Sequence, residues 1–364
     1  MPENFYAPGR IEISGNHTDH QHGCVLAAAI NLRIECSAQA NGSDIVRIAS
    51  EGFPTIEIGI SDLAPRKDEL GTSAALIRGV TAWFQTHSKR FGGFDGQMTS
   101  NIPIGIGLSS SAAFEVLIGR ILQGLFHADV TPWDIAYAGQ FAENEYFGKP
   151  SGLMDQAASS IGGMCMFDFF DANNPTVLSL QPDFGNYTIC IVDTGDSHED
   201  LTYDYAAIPD EMKSIAGYFG KGFLRDVAYE EFISSIDKLR HLGDRSILRA
   251  LHFFNENSRV QKQAKALESG DLRGFINMVK ESGRSSLAYL QNIYRPEYPQ
   301  NQSLTLALAI CETVLGIDGG YRVHGGGFAG TVLAFVPPAS RYIFESKMTS
   351  VFGEGCCHFL SICV

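Results

Sequence analysis

A glycine- and serine-rich segment, residues 103–113, constrains the fold of this chain more than any other. It reads P-I-G-I-G-L-S-S-S-A-A. Residues 96–102 before it have the composition of a β-strand, and apolar residues recur at helical spacing over residues 112–126. The order strand, loop, helix predicts an anion cradle, because the first helical turn has unpaired N–H groups and partial positive charge. Phosphate is the usual anion in such a cradle.

The loop allows two interpretations. A serine before a helix is often only the cap of a tight turn. Three consecutive serines exceed what one cap needs, which favours a ligand. No lysine follows the second glycine, so this is not a Walker A motif, and phosphate charge must be met by the helix end, a metal and a cation from elsewhere. The candidate phosphate-binding residues are Gly105, Ile106, Gly107, Leu108, Ser109, Ser110 and Ser111.

The composition limits the classes of function. The chain has 364 residues, 45% of them hydrophobic, enough for a sizeable core and two domains. A net charge of −14 disfavours nucleic acid or an anionic membrane as a partner, because both require basic patches. No apolar run approaches the roughly 20 residues of a membrane span, and no secretory signal is recognisable. Eight scattered cysteines without a Cys-x-x-Cys pair predict a cytoplasmic protein with reduced, mostly buried thiols.

The order of predicted elements indicates the fold class. Strands and helices are intermixed without a strict β-α-β rhythm, which favours an α+β fold. Residues 171–182 contain proline, asparagine and aspartate and indicate a domain boundary. We therefore expect an N-terminal domain of residues 1–180 and a C-terminal domain of residues 181–364.

Two helices and two charges give specific expectations within the first domain. Apolar spacing predicts a helix over residues 73–87 and another over residues 131–148, where Pro132 suits a helix start. Glu57 and Glu69 are expected to be surface charges.

Residues 16–22 form a dense polar segment bracketed by Gly15 and Gly23. Three histidines and an aspartate lie there, but a helical His-x-x-x-His spacing is missing, so a metal site is not favoured. The segment predicts a loop of mixed hydrogen-bond donors and acceptors, which suits a hydroxyl-rich ligand such as a sugar. A solvated turn is the other interpretation.

Three segments together resemble a known family. Residues 103–113 look like the second motif of the GHMP kinases, a superfamily of small-molecule kinases. Residues 7–20, A-P-G-R-I-E-I-S-G-N-H-T-D-H, resemble the galactokinase signature, and residues 324–330, H-G-G-G-F-A-G, resemble the third motif. The segments occur in the family's order and span nearly the whole chain. The resemblance implies a two-domain GHMP kinase fold with the active site in the cleft between the domains.

The resemblance also implies an activity and the residues for it. Galactokinase-like enzymes transfer the γ-phosphoryl group of ATP to the anomeric hydroxyl of galactose or a close relative, with Mg²⁺. By this resemblance Asp155 is the base or charge partner for that hydroxyl, and Arg10 stabilises developing charge and pairs with that aspartate. Ser111 and Glu143 are the implied Mg²⁺ ligands. Without the resemblance, Asp155 would be interpreted as a helix N-cap and Glu143 as a surface carboxylate.

The resemblance carries over a set of sugar contacts. Tyr203 competes with the last of them because the register near Leu201 is loose. The implied sugar-binding residues are Asn16, His17, Thr18, Asp19 and Tyr205.

Two departures from the galactokinase pattern leave the sugar open. Galactokinases usually have glutamate where Asn16 stands and tyrosine where His20 stands. That glutamate is taken to contact the C6 hydroxyl, whereas an asparagine amide can donate to an anion. A hexuronic acid such as galacturonate, or another hexose, is therefore an alternative substrate.

Two further alternatives differ in class. A GHMP kinase for a non-sugar alcohol is disfavoured by the N-H-T-D loop, and a non-catalytic galactose and ATP sensor is disfavoured by the complete serine triplet. We expect an ATP- and Mg²⁺-dependent monomer whose partner is a small-molecule sugar.

Overall fold

Two β-sheets organise the chain, which a computed structural model describes over residues 1–103, 105–149, 151–196 and 201–363. Within these ranges the strands are β1 (Glu3–Ser14), β2 (Cys24–Ala40), β3 (Ile45–Ser50), β4 (Ile56–Gly59), β5 (Phe94–Ser100), β6 (Met164–Asp168), β7 (Thr176–Leu180), β8 (Thr188–Asp193), β9 (Gly320–His324), β10 (Thr331–Val336) and β11 (Cys357–Leu360). The first sheet has the order β4-β3-β5-β2-β6-β7, and β1 also pairs with β2. The second has the order β11-β8-β10-β9.

Helices pack on both sheets. They are α1 (Ser73–His87), α2 (Ser110–Phe126), α3 (Pro132–Ala142), α4 (Met154–Ile161), α5 (Thr202–Tyr218), α6 (Tyr229–Ser234), α7 (Ile236–Leu239), α8 (Asp244–Glu268), α9 (Leu272–Ser285), α10 (Ser303–Leu315) and α11 (Arg341–Phe352). The predicted α+β class is confirmed. None of the described helices is long and apolar enough to cross a membrane.

Strand β2 is the centre of the first sheet because it pairs with β1, β5 and β6. Its first seven residues are all buried, and helices α2, α4 and α8 pack against it. One hydrophobic cluster includes Leu26 and Ile30 of β2 together with Ile191 of β8 and Leu333 of β10. The two sheets therefore share a continuous core, and β1, which carries the first motif, contacts β9 of the second sheet.

The predicted domain division falls between β7, the last strand of the first sheet, and β8, the first strand of the second. The division itself stays a prediction. The boundary segment 171–182 is not all loop, because it contains β7, an exposed edge strand that pairs with β6.

Several local predictions can be compared with the structure. Helix α1 coincides with the predicted residues 73–87. The helix predicted over residues 131–148 is divided, since α3 ends at Ala142 and one π-helical turn, Glu143–Phe147, follows. Such π turns occur frequently at functional sites. The predicted free thiols are confirmed, and six of the eight cysteines are buried.

The expectation for Glu69 was wrong, whereas Glu57 is exposed as predicted. Only 14% of the Glu69 side chain is accessible, and its two oxygens accept hydrogen bonds from Arg78 at 2.6 and 2.7 Å. Arg78 is buried in α1. A buried guanidinium requires a carboxylate partner, and local sequence did not show that Glu69 supplies it.

Candidate active site

The three motif segments meet around the loop that precedes α2. The Arg10 backbone N–H donates to the Leu108 carbonyl at 3.3 Å. Thr331, which follows the third motif, donates from Oγ1 to the Ile106 carbonyl at 3.4 Å and lies 3.1 Å from Nδ1 of His324, the first residue of that motif. A Cβ atom at Gly9 would lie 3.1 Å from the same Leu108 oxygen, so the first motif approaches the loop at backbone distance. The structure thus brings the first, second and third motifs together.

The loop has the backbone of an anion cradle. Gly105 and Gly107 have φ angles of 84° and 70°, which favour glycine. Ser109, at the N-terminus of α2, has a φ of 53° and makes no capping hydrogen bond. Its hydroxyl instead donates to Asp155 Oδ2 at 2.5 Å. The simple serine-cap interpretation is therefore wrong, and the first N–H groups of α2 are left for a ligand.

Asp155 and Arg10 form a bidentate ion pair beside this loop. Arg10 Nε and Nη2 donate to the two Asp155 oxygens at 2.6 and 2.9 Å, and Nη1 donates to the Gly107 carbonyl at 2.6 Å. Burial alone would raise the pKa of Asp155, but Arg10 and the Ser109 hydrogen bond outweigh it and hold the pKa at about 2. Asp155 does not cap α4, because the N-cap position is Leu153. The carboxylate is therefore ionised, and it lies next to the cradle.

Glu143 is not a surface carboxylate, since only 2% of its side chain is exposed. Its Oε1 accepts hydrogen bonds from Ser111 Oγ at 3.3 Å and Lys149 Nζ at 3.0 Å, and its Oε2 accepts one from Gln156 Nε2 at 2.9 Å. The Ser111 hydroxyl and the Glu143 carboxylate thus converge where a cation, the Lys149 ammonium, already lies. Two hard oxygen donors beside a phosphate cradle fit Mg²⁺, which keeps waters and binds substrate phosphates. In the described ranges no group of three or more His, Cys, Asp or Glu residues could hold a metal.

Behind Glu143 lies a second buried carboxyl group that sequence reasoning missed. Glu115 of α2 is fully buried, and its Oε2 accepts a hydrogen bond from Gln156 Nε2 at 2.9 Å, so one amide bridges two carboxyl groups. Burial, and then the nearby Glu143, raise the pKa of Glu115 well above its usual value. The only sequence signal was a glutamate on an otherwise apolar helix face.

We expect a Glu115→Gln variant to gain stability relative to the wild type as the pH rises. A raised folded-state pKa gives stability that is full below the unfolded pKa of about 4.5 and is lost as the pH rises through the folded pKa. The glutamine has no such loss, so the difference in unfolding free energy should grow by up to about 1.4 kcal/mol per pH unit. Denaturant unfolding at several pH values measures it, and a pH-independent difference would show that Glu115 is ionised.

In the polar loop, the side chains of Asn16 and Thr18 form hydrogen bonds with other groups of the protein. Asn16 is fully buried, and its Nδ2 donates to Glu12 Oε1 at 3.0 Å and to the Gly325 carbonyl at 2.7 Å. Its Oδ1 accepts from Asn292 Nδ2 at 2.9 Å. Thr18 Oγ1 lies within hydrogen-bond distance of the backbone carbonyls of Gly15 and Cys24, on the two sides of the loop. Both side chains hold the loop in shape.

His17 and Asp19 have capacity left for a ligand. His17 Nε2 lies 2.9 Å from the Gly326 carbonyl and so donates to it, while its buried Nδ1 has no hydrogen-bond partner in the part of the chain described. Burial, and then His20, lower the pKa of His17 to about 3, so the ring is neutral. Asp19 Oδ1 accepts from the His20 N–H, and Oδ2 packs against Gly152, where no Cβ atom would fit.

Of the two competing tyrosines, Tyr205 faces the third motif. Its hydroxyl donates to the Gly327 carbonyl at 3.0 Å, and its ring covers Gly326 so closely that a Cβ atom there would clash. Tyr203 is 77% exposed. Of the two, Tyr205 is therefore the tyrosine near the polar loop, because His17 of that loop also contacts Gly326.

Helix α8 supports the polar loop, although no sequence motif marks this role. The buried Glu256 accepts from Ser14 Oγ at 2.9 Å and the Gly15 N–H at 3.0 Å. Burial would raise the pKa of Glu256, but Arg259 and other neighbours lower it to about 2. His252 Nε2 contacts the Asn16 carbonyl at 2.9 Å. His252 and Glu256 lie one turn apart and therefore share a face of α8. The sequence alone does not show that this face packs on the polar loop.

Comparison with protein families gives two matches. Residues 2–40 match the family described as the galactokinase galactose-binding signature, which covers β1, the polar loop and β2. Residues 75–163 match the family described as the GHMP kinases N terminal domain, which covers the cradle, Glu143 and Asp155.

Individual proteins are similar over nearly the full length. A galactokinase of Glaesserella parasuis is 32% identical over 340 residues, which is 92% of this chain and 85% of that protein. A crystal structure of Lactococcus lactis galactokinase complexed with galactose aligns with a TM-score of 0.85 at 26% identity, covering 99% of this chain and 93% of that one. Methanococcus jannaschii mevalonate kinase aligns with a TM-score of 0.67 at 14% identity over 100% and 99% of the two chains, a likeness of fold alone.

Proposed function

The chain belongs to the galactokinase family of the GHMP kinases, and from this premise we propose that it transfers the γ-phosphoryl group of ATP to the anomeric hydroxyl of galactose, giving galactose 1-phosphate. The family assignment confirms the predicted GHMP kinase fold. One observation carries the proposal for the site: the Arg10–Asp155 ion pair lies against the uncapped N-terminus of α2, joined to it by the Ser109 hydroxyl.

We propose that the N–H groups of residues 105–111 hold the terminal phosphates, while Ser111 and Glu143 hold Mg²⁺. The metal would neutralise the charge of the phosphates when it is bound. Asp155, whose pKa is about 2, accepts a hydrogen bond from the anomeric hydroxyl and orients it. It takes the hydroxyl proton as that oxygen bonds to the γ-phosphorus and the bond from phosphorus to ADP breaks. A strong base is not required, because phosphoryl transfer depends mainly on positioning and charge neutralisation. Arg10 fixes the carboxylate and adds positive charge beside the cradle.

For the sugar itself, we propose direct contacts by His17, Asp19 and Tyr205. The neutral His17 offers Nδ1 as an acceptor for a sugar hydroxyl, because Nε2 already donates to Gly326. Asn16 and Thr18 act indirectly, by holding the loop that carries these groups.

The galacturonate alternative depends on a free Asn16 amide, and the geometry disfavours it because both amide hydrogens are already donated. We expect Asn16→Glu to lower the free energy of unfolding instead of changing the sugar. It would bury a second carboxylate beside Glu12, and an unpaired buried charge costs about 3–5 kcal/mol. Denaturant unfolding and the ratio of activities on galactose and galacturonate measure the two effects. A stable variant with a changed ratio of activities on galactose and galacturonate would show that Asn16 contacts the sugar directly.

A coupled ADP-release assay tests the proposed function with galactose, galacturonate, N-acetylgalactosamine, arabinose and glucose. Turnover with galactose, and phosphorus NMR that locates the phosphate at the anomeric position, are expected. Binding of galactose and ATP by calorimetry without turnover would identify a sensor. Turnover on a different sugar would revise the substrate alone.

The setting of the enzyme is part of the proposal. We propose a cytoplasmic monomer that acts on a small-molecule sugar and not on nucleic acid, which the net charge of −14 supports. Sedimentation of the purified chain tests the monomer, and a dimer would contradict it.

A further inference from the structure

The ammonium of Lys149 lies against the carboxylate that is proposed to bind the metal. Lys149 Nζ is 3.0 Å from Glu143 Oε1, the same oxygen that accepts the Ser111 hydroxyl. Among the residues that the structure describes, no other lysine or arginine forms an ion pair with Glu143. The other oxygen of Glu143 is held by Gln156. Lys149 therefore occupies the side of Glu143 that faces the cradle.

The two members of this pair differ in their surroundings. The Glu143 side chain is 2% exposed, whereas that of Lys149 is 60% exposed. An ionised carboxylate in such a buried position is costly without a cation. The long, solvated lysine can leave at small cost, because much of its side chain already contacts water.

The backbone keeps Lys149 at this position. The N–H groups of Gly148 and Lys149 both donate to the Glu143 carbonyl at 3.1 Å, which closes the π-helical turn. Gly148 has a φ of 84°, and a Cβ atom there would lie 3.1 Å from Leu70. The chain therefore folds back over Glu143 and tethers the ammonium beside it.

We propose that Lys149 is a built-in counter-ion that occupies the metal position of the nucleotide-free enzyme and yields it when Mg²⁺ arrives with a nucleotide. Lys149 weakens binding of free metal, because a metal alone must displace the ammonium and leave it without an anion. When nucleotide phosphates are present, the ammonium exchanges one anionic partner for another, and the displacement costs little. The inference rests on the proposed function, because it takes Ser111 and Glu143 as the metal ligands.

The decisive measurement is Mn²⁺ binding to the full chain without nucleotide, followed by electron paramagnetic resonance. Lys149→Met should bind free Mn²⁺ more tightly than the wild type by on the order of tenfold, the change that corresponds to about 1.4 kcal/mol. Added metal should also raise the melting temperature of Lys149→Met more than that of the wild type. Metal-free ATP should bind more weakly to the variant, because the ammonium is missing.

Three controls isolate the charge of Lys149. Lys149→Arg keeps the cation and should behave as the wild type does. Lys280→Met removes a half-buried lysine whose ammonium donates to the Ile317 carbonyl at 2.8 Å, and it should leave Mn²⁺ affinity unchanged. Glu143→Gln should abolish the gain that Lys149→Met produces. If Lys149→Met folds poorly, Lys149→Gln gives the same comparison with a polar side chain.

Equal Mn²⁺ affinity of the wild type and Lys149→Met would overturn the inference, as would an equal gain in Lys280→Met. This failure is distinguishable from failure of the proposed function. Sugar phosphorylation by the wild type with unchanged Mn²⁺ affinity would remove only the role of Lys149. No turnover on any sugar, together with tighter Mn²⁺ binding by Lys149→Met, would contradict the proposed kinase activity and support the counter-ion role of Lys149.

Discussion

Replacing Asp155 with asparagine is expected to reduce kcat by roughly 10²–10⁴-fold, the range for loss of a group that handles a proton. The amide has no charge to pair with the guanidinium of Arg10, which is 5% exposed and, within the part of the chain described, also donates to the Gly107 carbonyl. It also lacks the second oxygen that now receives both Arg10 and Ser109. Steady-state kinetics with galactose and ATP, by ADP release, measures the change.

A matched control exists at Asp168, the last residue of β6. Asp168 accepts a hydrogen bond from Arg225 at 2.8 Å and is 23% exposed, against 28% for Asp155. Asp168→Asn breaks an aspartate–arginine pair of similar burial away from the cradle, so it should affect stability and leave kcat near the wild-type value. Equal losses of kcat in the two variants would mean that Asp155 acts only through stability. A normal kcat in Asp155→Asn would remove it from the proposed chemistry.

The sequence predicts those site residues that belong to a short motif with a known structural role. The glycines and serines of residues 105–111 predict a tight loop that leads into a helix. In the structure Gly105, Gly107 and Ser109 have positive φ angles, and α2 begins at Ser110. Arg10 and Asp155 are 145 positions apart, and their pairing was expected from a resemblance between short segments. No local pattern could have shown that the fold brings these two residues into contact.

What escaped prediction depends on contacts between distant segments. Glu69 was predicted to be a surface charge, and without the family resemblance Glu143 would have been interpreted as one, because most glutamates are exposed. Glu69 is instead a partly buried partner of Arg78, and Glu143 is a buried partner of Lys149 and Gln156. The sequence places Asn16 in the polar loop, but it does not show that the Asn16 amide donates hydrogen bonds to Glu12 and to the Gly325 carbonyl. Burial of a polar group is decided by what packs on it, which local sequence does not contain.

Replacing Arg322 with methionine is expected to lower the free energy of unfolding by about 3–5 kcal/mol, because it leaves the buried Glu12 without a cation. Arg322 of β9 is fully buried and donates from Nη2 to Glu12 Oε1 at 2.8 Å. Glu12 lies on β1 and also receives the Asn16 amide, so this pair joins the first motif to the strand before the third. Denaturant unfolding, with the melting temperature as a second readout, measures the loss.

A double variant separates the buried charge from the loss of packing. Glu12→Gln combined with Arg322→Met removes both charges and keeps an acceptor for Asn16, so it should recover most of the stability. Arg240→Met breaks an exposed pair with Asp244, whose side chains are 71% and 68% exposed, and should cost about 0–1 kcal/mol. If Arg322→Met costs no more than Arg240→Met, Glu12 is protonated in the native protein and the pair does not hold the two motifs together by charge. Recovery in the double variant would instead show that the arginine is needed because the glutamate beside it is buried and ionised.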